Sequence, residues 1–271
     1  GTLFPYTTLF RSVGKLSELD IAKVKKALSD RSPATVWNVL ELLRRIVNYG
    51  VKHRLTPKLD FTISMPRKDN GVIEFLTPDE MDRLQAVLDS WPTAEAPRML
   101  KLAMFTGMRR GEVFSLKDED LNFNHSLIRL VKPKGRKSLS VPMNPIAEEI
   151  LKEQIEWRDK HYPGSPYIFP GRDGGQRVEC KAVKRIKSKA GLPEKFRIFH
   201  GLRHHFAVTL ANSGEFTLDM IGELLTHKSH AMTQRYASFL PDTMKKASSR
   251  AAELLTKTNT NSQNQENAEN G

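Results

Sequence analysis

Residues 200–214 read HGLRHHFAVTLANSG, and the spacing within them sets how the rest of the chain is understood. Phe206, Ala207, Leu210 and Ala211 recur at helical intervals, which predicts a helix opening near Phe199 with one buried stripe. His200 and Arg203, three residues apart, then share one side of its first turns. A guanidinium stays ionised and presents a planar fork, and a histidine beside it can move a proton. That pairing suits a phosphate. The neighbouring His204 and His205 raise a metal reading, but no histidine pair at i, i+4 is backed by a carboxylate in the HExxH manner, so no metal is expected.

Working upstream, Thr106-Gly107-Met108-Arg109-Arg110-Gly111-Glu112 puts another arginine where a new helix begins and backbone N–H groups face outward. Glu112, three residues on and on the same face, can orient Arg109. Taken alone, the stretch also fits an ordinary capped helix with exposed arginines. A phosphodiester repels nucleophiles, and its transition state gathers more charge on the non-bridging oxygens. Two fixed guanidiniums answer both difficulties. Lys134 lies in Lys134-Gly135-Arg136-Lys137, at the tip of a β-hairpin expected from the strand-like Leu127–Val131 and Ser138–Val141. Its ammonium could protonate a leaving oxygen; Lys132 and Lys137 compete for that part, and simple phosphate contact is the plainer account.

Downstream, His227 follows Leu224-Leu225 at an expected helix end, as a phosphate hydrogen-bond donor or simply a cap. Tyr236 closes Met232-Thr233-Gln234-Arg235-Tyr236. A phenol with an ordinary pKa near ~10 needs cationic neighbours or a base before it attacks. Packing is the commoner use of a helical tyrosine, and Tyr49, Tyr162 and Tyr167 are alternatives.

The whole chain has 271 residues and a formal charge of +12, which favours a polyanionic partner. No long apolar span or basic amphipathic anchor stands out, so no membrane is expected. The one cysteine, Cys180, precludes an intrachain disulfide and fits a cytoplasmic setting. Residues 1–12 contain TLFPYTTLFRS, which matches the translation of a sequencing-library adapter and is set apart from fold reasoning. The natural protein is expected to begin further upstream.

Residues 13–65 read as a helical DNA-binding domain. Leu16, Leu19, Ile21, Val24 and Leu28 form one apolar stripe, and Val36, Val39, Leu40, Leu43, Ile46 and Val47 a second. Ser32-Pro33 marks the second helix's start and Gly50 its end. Lys23, Lys26, Arg44, Arg45, Lys52 and Arg54 are candidate phosphate-tracking residues, or a solvated face. The pattern dissolves between Thr56 and Asn70, and an interdomain linker is placed at 66–74. Thr77, Pro78 and Glu80 then open a capped helix. Residues 75–255 make a catalytic domain, and 256–271, without apolar groups, a disordered tail. The expected fold class is mainly α with a small β-sheet or hairpin.

In order, these motifs resemble the tyrosine recombinases, the phage integrase family. TGMRRGEVFSL is similar to that family's first arginine box and VKPKGRKSLSVP to its lysine hairpin. HGLRHHFAVTLANSG resembles its second box, and LLTHKSHAMTQRY its closing histidine and tyrosine. The likeness spans Phe75 to Leu255, with a weaker one to the core-binding domain over Ser32 to Leu55. It implies Arg109, His200, Arg203 and His227 as the phosphate-activating set and Lys134 as general acid. Tyr236 is implied as the nucleophile joined to the 3′-phosphate, and Glu112 as support for the first arginine. Thr226 departs from the family's usual Gly, and Gly201 from its common Asp.

The resemblance further implies transesterification without cofactor, on double-stranded DNA, by a homotetramer holding two sites, in integration or excision of a mobile element. The segment Asp242 to Leu255 is either a helix docking on a neighbouring protomer or an intramolecular one. Two rival readings differ in kind. A non-cleaving DNA-binding protein of the same fold would shift DNA without a covalent adduct. A type IB topoisomerase would relax supercoils without a defined site.

Overall fold

The computed structural model describes residues 13–67, 73–130, 139–241 and 248–255. The chain divides into two compact units, residues 1–72 and 73–271. Among the described residues, no helix is long and apolar enough to cross a membrane.

The first unit holds α1 (Glu18–Ala27) and α2 (Pro33–Lys52). Ser17 and Ser32 cap them by accepting N–H bonds from Asp20 and Thr35. Leu16, Ile21, Leu40, Val47 and Ile63 form its core. Three members of the expected stripes, Leu19, Val39 and Ile46, are instead exposed. The helix also runs past Gly50, whose missing side chain leaves room for Thr56: a Cβ there would lie 2.7 Å from the threonine Cγ2. Gly50 is therefore a packing glycine and not a terminator.

The second unit carries the remaining elements. Thr77 and Glu80 form a reciprocal cap for α3 (Pro78–Asp89), the threonine hydroxyl accepting from the Glu80 N–H and the glutamate from the Thr77 N–H at 2.9 Å. α4 (Glu95–Thr106) ends at Gly107, whose φ of 65° is left-handed and suits glycine. α5 (Arg110–Ser115) follows at once. A small antiparallel sheet comes next: β1 (Leu121–Asn122), β2 (Leu127–Leu130) and β3 (Leu139–Pro142), in the order β1-β2-β3, with Ile128 opposite Val141. The expected hairpin strands are present, joined by a third strand too short to show a period. The hairpin tip, with Lys134 and its competitors Lys132 and Lys137, lies outside the described residues.

Asn144 caps α6 (Pro145–His161), accepting from the Ala147 N–H at 2.9 Å while its amide donates to the Phe105 carbonyl at 2.8 Å. One asparagine thus ties the start of α6 to the end of α4. α7 (Lys181–Lys189), α8 (Ile198–Ser213), α9 (Leu218–Leu224), α10 (His230–Thr233) and a 3₁₀ turn at Gln234–Phe239 complete the order, and residues 248–255 are helical. The main core joins α3, α4, α6, the sheet and the start of α8. A second cluster of Ala207, Val208, Ala211, Ile221, Leu225 and Tyr236 seats α9 and the 3₁₀ turn on the far half of α8. The two cores meet along α8, the helix carrying His200, Arg203 and His204.

Candidate active site

Arg109 stands where α4 turns into α5. Its backbone N–H and its Nη1 each donate to the Glu112 carboxylate at 2.8 Å. The same Nη1 donates to the Thr226 hydroxyl at 3.0 Å. The guanidinium is thus held on one edge, while its side chain remains 38% exposed. Thr226 has φ 52°, a region costly for a β-branched residue.

Arg203 is buried on α8. Its Nη1 donates to the Gly107 carbonyl at 2.6 Å, and its Nη2 donates to the Leu225 carbonyl. Burial lowers its pKa to about 10, and the Arg109 charge pushes the same way. Arg203 stays cationic near neutrality, and two cations close enough to repel make an anion-binding geometry. An anion between them relieves that repulsion.

Tyr236 is 2% exposed, on the 3₁₀ turn. Its hydroxyl lies 2.9 Å from His204 Nδ1, and His204 Nε2 lies 2.8 Å from His200 Nε2. Burial raises the phenol's pKa, while Arg203, Arg235 and Arg109 pull it down. His200 is exposed at the cleft, and the partial desolvation of its ring, with the Arg197 charge, lowers its pKa. His204 is driven down to about 3, by burial first and then by His200 and nearby arginines. His204 is therefore neutral at physiological pH.

His227 Nδ1 lies 2.7 Å from the Thr233 hydroxyl, and the imidazole stacks nearly parallel to the Tyr236 ring, 6.4 Å between centroids. With Nδ1 engaged, Nε2 is the nitrogen available to a ligand. Burial and the charges of Arg203 and Arg109 lower its pKa to about 4. It too is neutral near pH 7, able to donate one hydrogen bond.

Arg109, His200 and Arg203 line one open cleft of about 1210 Å³, alongside Arg110, Lys184 and Arg197. Five of the residues singled out from sequence, Arg109, His200, Arg203, His227 and Tyr236, interact within one unit, with Glu112 beside Arg109. Lys134 lies outside the described residues. In the first unit, Lys23, Lys26, Arg44, Arg45, Lys52 and Arg54 are exposed. Lys23 pairs with Asp20 at 3.7 Å and Arg44 with Glu41 at 2.7 Å. Of the alternative tyrosines, Tyr167 sits under the Lys117 ammonium and Tyr49 packs on His53.

Three contributors were not legible beforehand. His204 is the residue hydrogen-bonded to the phenol, whereas the sequence pointed to His200 as the proton-transfer group. Thr226 signalled only a departure from glycine. Arg235, beside Tyr236, contributes charge felt at Tyr236, His200, His204 and His227. Gly201 packs under Phe196, where a Cβ would lie only 2.2 Å from the ring.

Comparison with known proteins identifies the family and the fold. The model of the phage integrase family matches residues 74–241. Tyrosine recombinase XerC of Bacillus licheniformis is 29% identical over 224 residues, covering 78% of this chain and 72% of the relative. Tyrosine recombinase XerA of Pyrococcus furiosus is 30% identical over 190 residues, covering 69% and 64%. Among solved structures, XerH recombinase bound to palindromic difH substrate aligns with a TM-score of 0.72 at 24% identity, over 90% of this chain and 75% of that one. The Tn1549 transposon integrase in complex with a circular intermediate DNA also gives 0.72, at 19% identity, over 88% and 86%. The match over most of the second unit, whose α5 start, α8 and 3₁₀ turn carry Arg109, Arg203 and Tyr236, makes this chain a member of the phage integrase family of tyrosine recombinases.

Proposed function

We propose that this chain cuts and rejoins double-stranded DNA at specific sites through a 3′-phosphotyrosyl intermediate formed on Tyr236. The observation that carries this reading is the convergence of Arg109 on the Thr226 hydroxyl and of Arg203 on the adjacent Leu225 carbonyl, with the Tyr236 phenol inside their field. The phenolic oxygen attacks phosphorus as the 5′-oxygen leaves. Arg109 and Arg203 hold the non-bridging oxygens, and His227 and His200 add hydrogen bonds. Loss of one such preorganised donor costs about 100- to 1,000-fold in comparable anion sites. Lys134 protonates the leaving 5′-oxygen. A second strand's 5′-hydroxyl reverses the chemistry, so the bond energy is kept throughout.

Similar structures bound to DNA support DNA as the partner, and the working assembly is a homotetramer holding two double-stranded sites, as the family resemblance implies. The likeness to a transposon integrase supports integration or excision of a mobile element. The division of the chain near residue 72 supports a DNA-binding domain at 13–65, a linker at 66–74 and a catalytic domain at 75–255. Lys23, Lys26, Arg44, Arg45, Lys52 and Arg54 then track phosphates. The single cysteine supports work in a reducing cytoplasm.

The test uses a pool of nicked duplexes with randomised arms. Cutting beside the nick releases a short strand and traps the protein on DNA. A covalent adduct that disappears in Tyr236→Phe supports the reading, and an adduct that persists reassigns the nucleophile. Plasmid relaxation with no preferred site would point to a topoisomerase instead.

A further inference from the structure

We propose that His204 is a further catalytic residue, the base that takes the Tyr236 proton and passes it through His200 to the cleft. This rests on the reading of Tyr236 as nucleophile. The geometry is a continuous line of three groups: the phenol oxygen 2.9 Å from His204 Nδ1, and His204 Nε2 2.8 Å from His200 Nε2. One end is a buried hydroxyl, and the other an exposed imidazole lining the cleft.

The line answers a specific difficulty. Burial makes the phenol harder to ionise, so the proton needs an acceptor already in place. His227 stacks its face alongside the phenol ring, and its Nδ1 is engaged by Thr233. Among the described residues, His204 is the base in hydrogen-bond contact with the phenol oxygen. Its strong bias toward neutrality suits a conduit, because a proton arriving at Nδ1 is not retained.

The proton balance closes. His204 starts as the Nε2–H tautomer, with Nδ1 accepting from the phenol, and His200 starts with an open Nε2. As the tyrosine oxygen bonds to phosphorus, its proton moves to His204 Nδ1 and the His204 Nε2 proton moves to His200. His200 becomes an imidazolium in the cleft, beside the anionic phosphate, while the departing 5′-oxygen takes its proton from the general acid. Resealing runs the same transfers backward.

The experiment measures single-turnover adduct formation on nicked duplexes selected from the randomised pool, with duplex binding followed by gel shift. His204→Asn keeps a polar contact at the Nδ1 position and His204→Gln one at the Nε2 position, but neither relays a proton. Both are expected to bind DNA normally and to cut about 100-fold or more slowly. A second substrate carries a 5′-bridging phosphorothiolate, whose sulfur leaves without a proton. Lys134→Ala recovers on it, whereas the His204 variants stay slow, because their defect lies on the nucleophile's side. Wild-type rates in the His204 variants, or their recovery on the thiolate substrate, overturn the relay while leaving Tyr236 as nucleophile. A wild-type protein forming no Tyr236-dependent adduct overturns both readings. Should either variant lose DNA binding, nitrogen NMR on isotope-labelled histidines of the wild type decides: Nε2–H at His204 supports the relay, and Nδ1–H overturns it.

Discussion

The Arg109 guanidinium donates a 3.0 Å hydrogen bond to Thr226, a residue holding its own backbone at a φ of 52°. Glycine would adopt that conformation without strain but offers no hydroxyl. Here a backbone cost is accepted where a side chain can orient a phosphate-binding arginine.

Thr226→Ala and Thr226→Gly separate the two effects. Both lose the hydroxyl, and adduct formation is expected to fall about ten-fold in each, the scale of one hydrogen bond to a charged group. Only alanine keeps the left-handed penalty, so the glycine variant is expected to be more stable by about 1 kcal/mol. Urea denaturation compares the pair; equal stability would remove strain at this position from the account.

Arg203 serves two carbonyls, those of Gly107 and Leu225, from one buried fork. Lysine lacks the second arm. Arg203→Lys leaves a buried carbonyl unpaired, at about 1 to 3 kcal/mol. Cutting is expected to fall by at least about 100-fold, since the remaining ammonium does not present two oxygens with parallel donors. Denaturation curves and adduct rates read the two losses separately.

Gly201 and Phe196 are coupled by contact. A Cβ at Gly201 would lie 2.2 Å from the Phe196 ring, which is itself buried. Gly201→Asp, the residue common at this place in the family, is expected to cost about 1 to 3 kcal/mol through overpacking. In a Phe196→Ala background the same change is expected to cost clearly less. A double-mutant cycle with no coupling would contradict the packing argument.

Acid sensitivity follows from the histidines. His204 and His227 have folded pKa values of about 3 and about 4, both below the ordinary 6.5. Above pH 6.5 neither folded nor unfolded chain protonates them. Between 6.5 and the folded values, the unfolded chain takes up protons that the folded one refuses, so stability falls as pH falls. Lowered values at His200 and His205 act in the same direction. Denaturation midpoints measured from neutral pH down to about pH 4.5 should therefore drop, with a shallower slope in His204→Asn. An unchanged slope in that variant would refute His204's share.

Much of this was legible in the chain because local rules and tertiary packing agree there. Thr77, Pro78 and Glu80 announce α3 by capping chemistry alone, and His200 and Arg203 share a helical side wherever α8 is placed. Surface stripes were less legible: Leu19, Val39 and Ile46 keep helical spacing yet stay exposed, since periodicity names a face without naming what covers it. Gly50 misled for a related reason, as its small size serves contact with Thr56 and not termination. The His204 contact with Tyr236 spans 32 residues and depends on how the 3₁₀ turn seats against α8. No pattern along the chain encodes that meeting.

Leu225 and Thr226 are consecutive, and they steady different arginines: the carbonyl of one receives Arg203 and the hydroxyl of the next receives Arg109. A single peptide step therefore works as a keystone for parts arriving from two separate helices. Nudging it loosens one contact of each cation at once, leaving Glu112 and the Gly107 carbonyl as their separate second anchors.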